Sequence, residues 1–288
     1  MSLQPAPLLD LDFFPPRPIQ IEVSDAPLTS DTGLLLLRQF DDKIGLIAHF
    51  AAALNDPRNP EYIEHSFLDM VRMRIFAILA GYNDQNDHDT LRTDPAFKLI
   101  ANRSPNGAHL ASQPTLSRFE NQIDIPSLKK LRDLFINQFI ASFAKPPLTL
   151  TFDLDPVDDQ THGTQQLSLF QGHYEQYQYL PLVVTCAEEY KCGMAMDRLS
   201  DHRFMANFFR LYLHAAALNL LEACVERLPI RRPHLPRMFR QRPYRNRRAS
   251  SIRMLVVAAT RWVKDSLRRG ACFSSRSLQR WWSVVGAS

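Results

Sequence analysis

The 288-residue sequence has no run of about 18 apolar residues, the length that a helix needs to cross a bilayer. It also has no positively charged N-terminal segment followed by an apolar stretch, as a secretory signal would have. The four cysteines show no Cys-x-x-Cys spacing, which disfavours a zinc site or a disulfide framework. We therefore expect a soluble cytoplasmic protein with reduced cysteines and no membrane partner.

Acidic residues are nearly missing from the C-terminal part of the chain. From Arg227 onward there are 16 Lys or Arg residues and one acidic residue, Asp265. Residues 1–226 hold 18 basic and 29 acidic residues, a net charge of −11 against +15 for the remainder. A basic block of this kind indicates a polyanionic partner such as nucleic acid, or a lack of order.

Residues 1–30 are rich in proline, which predicts an extended arm. Apolar residues at three-and-four spacing then predict a helical region over residues 31–146. One helix is expected in TSDTGLLLLRQFDDKIGLIAHFAAAL, with Ser30 or Thr32 as its N-cap. Others are expected in PEYIEHSFLDMVRMRIFAILAGY and DIPSLKKLRDLFINQFIASFAK, with a short helix in the polar stretch between them.

The segment LASQPTLSRFENQ predicts a short helix capped by Ser112, with Pro114 in its first turn and Leu116 and Phe119 on one face. The residues left for solvent or a ligand are polar: Thr115, Ser117, Arg118 and Asn121. Such a helix is compatible with the recognition helix of a helix-turn-helix, although the sequence pattern alone favours an ordinary surface helix.

The period changes from 3.6 to 2 after Pro147, and the alternation of LTLTFDLD predicts a half-buried strand. A second strand is expected in QYLPLVVTC, and a long buried helix in HRFMANFFRLYLHAAALNLLEACVERL. A helical region followed by strands and a buried helix predicts an α+β protein.

Asp153 and Asp155 fall on one face of the first strand, roughly 6 to 7 Å apart, where two carboxylates would repel each other. A divalent cation would compensate this repulsion, and Mg²⁺ or Mn²⁺ prefers such oxygen ligands. The alternative is that the aspartates begin a turn, which we favour for Asp158 and Asp159 in DPVDDQTHG. For His162 a loop hydrogen bond is favoured over metal binding.

Three segments together resemble the DDE transposases of bacterial insertion sequences: LTLTFDLDPVDDQTHGTQQLSLFQGHYEQYQYLPLVV, AGYNDQNDHDTLRTDPAFKLI with LASQPTLSRFEN, and MDRLSDHRFMANFFRLYLHAAALNLL. The resemblance implies an RNase H-like mixed sheet, here over residues 147–226, in which two Asp and one Glu bind Mg²⁺ or Mn²⁺. Those ions would cut and join DNA at terminal inverted repeats. Asp155 is favoured over Asp153 as the first catalytic carboxylate and metal ligand.

The chain also departs from that family. EYKCGMAMDRLS resembles the end of the helix that carries the catalytic Glu, with Lys191 as its DNA-contacting lysine, but the Glu position then falls on Val184. The segment that should carry the second Asp has no counterpart, and Glu188 and Glu189 lack the family spacing. We therefore expect a truncated, catalytically impaired catalytic domain.

These observations predict a protein of DNA transposition that contacts inverted-repeat DNA through Thr115, Ser117 and Arg118 and associates with itself or with an intact transposase. One alternative is a non-catalytic DNA-binding regulator of transposition. Another is a nuclease rebuilt around Asp153, Asp155 and His162. Residues 227–288 are interpreted as a poorly ordered or frameshifted basic tail, although a nucleic-acid-binding arm would have a similar composition.

Overall fold

A computed structural model describes residues 9–11, 19–21, 27–143, 145, 153–156, 159–172, 174–185, 199–227 and 254–257. The described α-helices are α1 (Leu34–Ile44), α2 (Leu46–Ala52), α3 (Phe67–Ala80), α4 (His88–Leu91), α5 (Pro95–Ile100), α6 (Gln113–Asn121), α7 (Ile125–Ala141) and α8 (Phe204–Arg227). None of these helices is long and apolar enough to span a bilayer.

The described strands are short: β1 (Leu9–Leu11), β2 (Ile19–Ile21), β3 (Asp153–Pro156), β4 (Asp159–Gln160), β5 (Leu169–Gln171), β6 (Gln176–Tyr179), β7 (Leu182–Thr185) and β8 (Met254–Val257). They form a two-stranded sheet β1-β2 and two three-stranded sheets in the orders β3-β7-β8 and β4-β6-β5. The predicted α+β class is confirmed at this level. Every described pair is antiparallel, so the mixed sheet is not found among these strands. Parallel neighbours require long crossover connections, whereas the paired strands β5 and β6 are joined by only four residues.

The first predicted helix is divided in two at Gly45. This residue has φ +69°, a left-handed conformation that glycine adopts without steric cost, and it separates α1 from α2. The predicted caps Ser30 and Thr32 are wrong, because α1 begins after Gly33 and no side chain caps it. Its first turn is instead closed by the backbone, with the Leu34 N–H donating to the Asp31 carbonyl at 3.0 Å.

The second predicted helix begins later than its apolar pattern indicated. Pro60–Tyr62 forms a 3-10 turn, and α3 starts at Phe67, where the Ser66 hydroxyl accepts from the Asp69 N–H at 3.0 Å. A serine cap that satisfies an otherwise unpaired N–H fixes the helix start more strongly than the apolar pattern does.

One hydrophobic core joins the helices, and α8 lies within it. The ring of Phe209 on α8 lies 5.9 Å from Phe50 of α2 and 5.5 Å from Phe119 of α6. All three side chains are at most 1% exposed. The buried helix is confirmed, and it packs against the helices of residues 31–146, across the predicted domain boundary; that boundary stays a prediction.

The second predicted strand, QYLPLVVTC, is two strands that belong to different sheets. β6 ends at Tyr179 and β7 begins after Pro181, whose ring nitrogen cannot donate to a strand ladder. In the N-terminal arm, β1 and β2 pair with each other. In the basic tail, Arg227 ends α8 and β8 pairs with β7. The other tail residues lie outside the described ranges.

Candidate functional site

The two candidate metal ligands lie on β3, which pairs with the central strand β7 of its sheet. Asp153 stands opposite Thr185, and Asp155 stands opposite Val183. The backbone of β3 confirms the predicted extended conformation of the DLD motif. The carboxylates themselves lie outside the described part of the structure, so the metal-binding role stays a prediction.

Val184 is the residue that the predicted assignment of Lys191 puts at the position of the catalytic Glu. The structure places Val184 in β7, where it pairs with Leu154 of β3, between the two aspartates. The residue at this position therefore belongs to a strand, in contrast to the helix on which the family pattern carries its Glu.

Asp159 belongs to a strand and is not a turn residue, which corrects the turn interpretation. It begins β4, its side chain is buried, and its Oδ1 accepts from the Leu199 N–H at 3.5 Å. The prediction failed because β4 has only two residues, too few for a visible alternation. Asp158 lies outside the described residues.

The Thr-His-Gly segment forms the loop that follows β4. Thr161 is buried, and its N–H donates to the Tyr177 carbonyl at 3.0 Å. His162 is exposed, and Gly163 has φ +71°, which turns the chain. This position agrees with the loop interpretation of His162 and places it away from the buried side of the sheet.

This loop is hydrogen-bonded to the segment that leads into α8. The Gln165 Nε2 donates to the carbonyls of Leu199 and Asp201, both at 3.1 Å. The Gln166 N–H donates to the His202 carbonyl at 3.0 Å. Three residues shortly before α8 therefore hold the loop that follows the aspartate-rich segment.

Asp201 connects this segment to both α6 and α8. Its Oδ2 accepts from the Asn121 Nδ2 at 3.3 Å and lies 3.4 Å from the Arg210 Nη2. Its Oδ1 accepts from the Arg203 N–H at 2.9 Å, and its own N–H donates to the Asn207 Oδ1 at 2.9 Å. The loop after β4 and the predicted recognition helix therefore share one anchoring residue.

Below Asp201 lies a fully buried ionic cluster. Glu120 on α6 accepts from the Arg74 Nε of α3 at 2.7 Å and from the Arg210 Nε of α8 at 2.6 Å. Burial alone raises the pKa of Glu120, but the two guanidiniums outweigh burial and lower the pKa to about 2. Glu120 is therefore ionised and balances two cations in the core.

His88 extends this cluster. The Arg74 Nη1 donates to the His88 Nε2 at 3.2 Å, which makes Nε2 an acceptor because a guanidinium is only a donor. Burial, assisted by the Arg74 charge, lowers the pKa of His88 to about 3. His88 is therefore neutral at ordinary pH.

Sequence reasoning missed the Arg74–Glu120–Arg210 cluster. Glu120 lies four residues after Leu116 on the apolar face of α6, and Arg74 stands within an apolar run of α3. A charged side chain at a core position predicts a buried partner of opposite charge. The sequence shows these charged residues at core positions, but it does not identify which residues of opposite charge they contact.

The predicted helix α6 is confirmed, with Leu116 and Phe119 buried. Ser112 occupies the N-cap position, but its hydroxyl contacts the Thr115 Oγ1 at 3.1 Å and caps no backbone N–H. The exposed Arg118 donates from Nη2 to the same Thr115 Oγ1 at 3.1 Å.

The other polar candidates of α6 are less accessible. The Ser117 carbonyl accepts from the Asn121 Nδ2 at 2.9 Å, and Ser117 is half-buried. Arg118 is therefore the most accessible of the three predicted DNA contacts on α6. The fourth candidate, Lys191, lies outside the described residues.

No group of three or more metal-ligating side chains is present in the part of the chain that the structure describes. The donor types of Asp153 and Asp155 nevertheless suit a hard cation, because Mg²⁺ commonly binds one or two carboxylates and completes its shell with water and substrate phosphates. The residue types of the DLD motif are thus suitable for one such ion, and the binding itself stays a prediction.

Comparison with known proteins gives one match. A family model described as Transposase DDE domain group 1 matches residues 14–190, more than half of the 288-residue chain. The match includes α6 and β3 and ends before Lys191, α8 and the basic tail, where the resemblance stays a prediction. No curated protein and no solved structure matches the chain.

Proposed function

The chain belongs to the transposase DDE domain group 1 family, and from its membership we propose that it binds the terminal inverted repeats of an insertion sequence through the helical region. Its function is related to DNA transposition. In this proposal Asp155, with Asp153, is what remains of a metal-dependent site for DNA strand cleavage and transfer, and that chemistry is impaired. The DNA contacts would be Arg118, Thr115 and Ser117.

The position of Val184 carries the proposal of impaired cleavage. Two-metal phosphoryl transfer needs carboxylates on both sides of the reacting phosphate, so that the charge of two ions is balanced. Val184 offers no oxygen ligand, and it lies in β7 next to the DLD strand. Asp153 and Asp155 alone suit one ion, which would polarise a phosphoryl oxygen when bound.

The chain's own residues have definable tasks under this proposal. Asp155 and Asp153 would hold the ion at β3. Gln165 and Gln166, through their bonds to residues 199–202, would hold the loop after β4 in place. Arg118 at the surface of α6 would neutralise a backbone phosphate, since a guanidinium can donate two parallel hydrogen bonds to it.

The test uses the purified full chain, Mn²⁺ or Mg²⁺, and labelled duplexes from the inverted repeats that flank the gene. The expected result is preferential binding to these duplexes without strand cleavage. Ion-dependent cleavage at the element ends that disappears in Asp155→Ala would show that the chemistry is intact and would overturn the proposed impairment. Equal, weak binding to every duplex would count against recognition of the repeats.

A second candidate function is that of a non-catalytic regulator of transposition. It is favoured because the helical region has a continuous hydrophobic core, whereas Val184 stands at the predicted Glu position. Such a chain would occupy transposon ends without cutting them and would act as a regulator. Co-expression with the intact transposase of the same element should then reduce its transposition frequency. Arg118→Ala is the matched control. If binding of the regulator to DNA causes the reduction, this variant should restore the transposition frequency. If the original chain leaves the transposition frequency unchanged, it is an inactive remnant.

A further inference from the structure

The structure brings a second exposed arginine beside the predicted recognition helix. The Nη1 of Arg203, at the start of α8, donates to the carbonyl of Asn121 at 3.5 Å, at the C-terminal end of α6. Arg118 lies three residues before Asn121 on the same face of α6, and its guanidinium reaches back to the Thr115 Oγ1. The two arginines therefore lie at successive positions along this helix. Both arginines are exposed.

The charges of both guanidiniums are available to a ligand. In the described residues, their hydrogen bonds go to uncharged oxygens, the hydroxyl of Thr115 for Arg118 and the backbone carbonyl of Asn121 for Arg203. Each guanidinium has five N–H donors in a planar fork, so donors remain for a bidentate bond to a phosphate.

The carboxylates underneath are already balanced. Glu120 lies between Arg74 and Arg210, and Asp201 contacts Arg210 as well. Two carboxylates and two guanidiniums leave this interior cluster without net charge. Arg118 and Arg203 therefore lie above two carboxylates that already have cationic partners.

The backbone of Arg203 is fixed in advance. Its N–H donates to the Asp201 Oδ1 at 2.9 Å, and the Asp201 Oδ2 accepts from the Asn121 Nδ2 at 3.3 Å. The residue is thus tied to α6 by a side chain that also anchors the start of α8. Because its backbone is already ordered, Arg203 loses only side-chain entropy when its guanidinium binds a ligand.

We propose that Arg118 and Arg203 form one surface, the Arg118–Arg203 surface, which binds successive phosphates of a DNA backbone and leads the duplex from α6 toward the loop after β4. This inference rests on the proposed function and adds Arg203 to it. Its direction follows from the anchoring of that loop to Leu199, Asp201 and His202, immediately before Arg203.

The test is the salt dependence of DNA binding by the full chain, with fluorescent duplexes of the inverted repeat and of an unrelated sequence. Each neutralised phosphate contributes about 0.9 to the slope of log K against log salt. We expect Arg203→Gln to lower that slope by about 0.9 and to weaken binding to both duplexes about five- to tenfold at 0.1 M salt. Arg118→Gln should have the same effect, and the double variant should lose both contributions.

Arg132→Gln is the control, because Arg132 is exposed on α7 and already pairs with Asp133 at 2.7 Å; it should leave the slope unchanged. Arg203→Lys keeps a point charge and should keep the slope, which separates lost charge from a disturbed fold. An unchanged slope in Arg203→Gln, with a lowered slope in Arg118→Gln, would overturn the role of Arg203 and leave the proposed function standing. A wild-type chain that binds neither duplex would overturn both.

Discussion

The Nε of Arg210 on α8 lies 2.6 Å from the Oε2 of Glu120 on α6, although the two residues are 90 positions apart in the chain. The other carboxylate oxygen of Glu120 accepts from Arg74 on α3. One carboxylate therefore joins three helices. The pair also links a helix inside the family match to a helix outside it.

Glu120→Gln is expected to lower the free energy of unfolding by about 3 to 5 kcal/mol, because it leaves two guanidiniums buried without a counter-charge. Urea unfolding followed by circular dichroism measures the change. Glu64→Gln is the control, since Glu64 is largely exposed and its loss should cost less than about 1 kcal/mol. Equal stabilities of the two variants would contradict the structural role of Glu120.

Stability is expected to fall as the pH is lowered from about 6.5 toward 4.5. His88 has a pKa of about 3 in the folded state against the ordinary histidine value of 6.5, so the unfolded chain binds more protons in this window. Its contribution to stability is therefore present at pH 7 and decreases by at most about 1.4 kcal/mol per pH unit as the pH falls.

His88→Gln keeps an acceptor for Arg74 and removes the titration, so it should flatten the curve in that window. The contribution of Glu120 falls at lower pH, because its pKa is depressed from 4.5 to about 2 and its stabilisation is lost only as the pH falls through that range. An unfolding free energy with the same slope between pH 4.5 and 6.5 in both proteins would contradict the assignment to His88.

Gly45→Ala is expected to destabilise the protein by about 1 to 2 kcal/mol, because an L-residue at φ +69° is strained. The added Cβ would also lie 3.2 Å from the Cε1 of His49. Gly33→Ala is the matched control, with φ −58° and open space around the new Cβ. Thermal unfolding should separate the two, and a larger loss at position 33 would refute the break between α1 and α2.

Asp124→Ala is expected to cost about 1 kcal/mol of unfolding free energy. The Asp124 carboxylate accepts from the Ser127 N–H at 2.8 Å at the start of α7 and from the Asn55 Nδ2 at 2.9 Å. Asp133→Ala removes an exposed carboxylate later in the same helix and should change stability by less than about 0.5 kcal/mol. Chemical denaturation compares the two, and identical midpoints would argue against a capping role.

Asp155→Asn is expected to weaken Mn²⁺ binding to the full chain by roughly tenfold or more, because a coordinating carboxylate charge is lost. Electron paramagnetic resonance of free Mn²⁺ measures the affinity without DNA or turnover. Asp153→Asn should have a smaller effect, and Asp133→Asn on α7 none. Equal affinities in all variants would contradict a metal site at β3.

The helices were predictable from the sequence where one face is apolar, as in α6 and α7. The predicted helix boundaries were wrong where the backbone conformation of a single residue sets them. At Gly45, for example, a left-handed φ divides a continuous apolar pattern into two helices. Pro181 is a comparable case, because the apolar run on both sides concealed the change from one sheet to another. Both residues were visible in the sequence, but their effects depend on the three-dimensional path of the chain.

In the candidate site, too, local features were predictable and long-range contacts were not. The DLD strand follows from local alternation, and β3 has the expected backbone conformation. Asp201 and Arg203 could not have been predicted, because their roles come from contacts with Asn121 of α6, about 80 residues away. Local patterns identify a strand or a helix face, whereas long-range hydrogen bonds decide which polar residues meet.

The position of Arg210 constrains how the chain can fold as it leaves the ribosome. When α3 and α6 have emerged, Glu120 can meet Arg74, but the place of α8 between Phe50 and Phe119 is still empty. Until the residues around Phe209 arrive, those rings face solvent and one oxygen of a core carboxylate lacks its partner. The core of the nascent helical region is therefore completed only when α8 packs against it. Chain termination before that helix would leave apolar surface exposed and a product prone to aggregate.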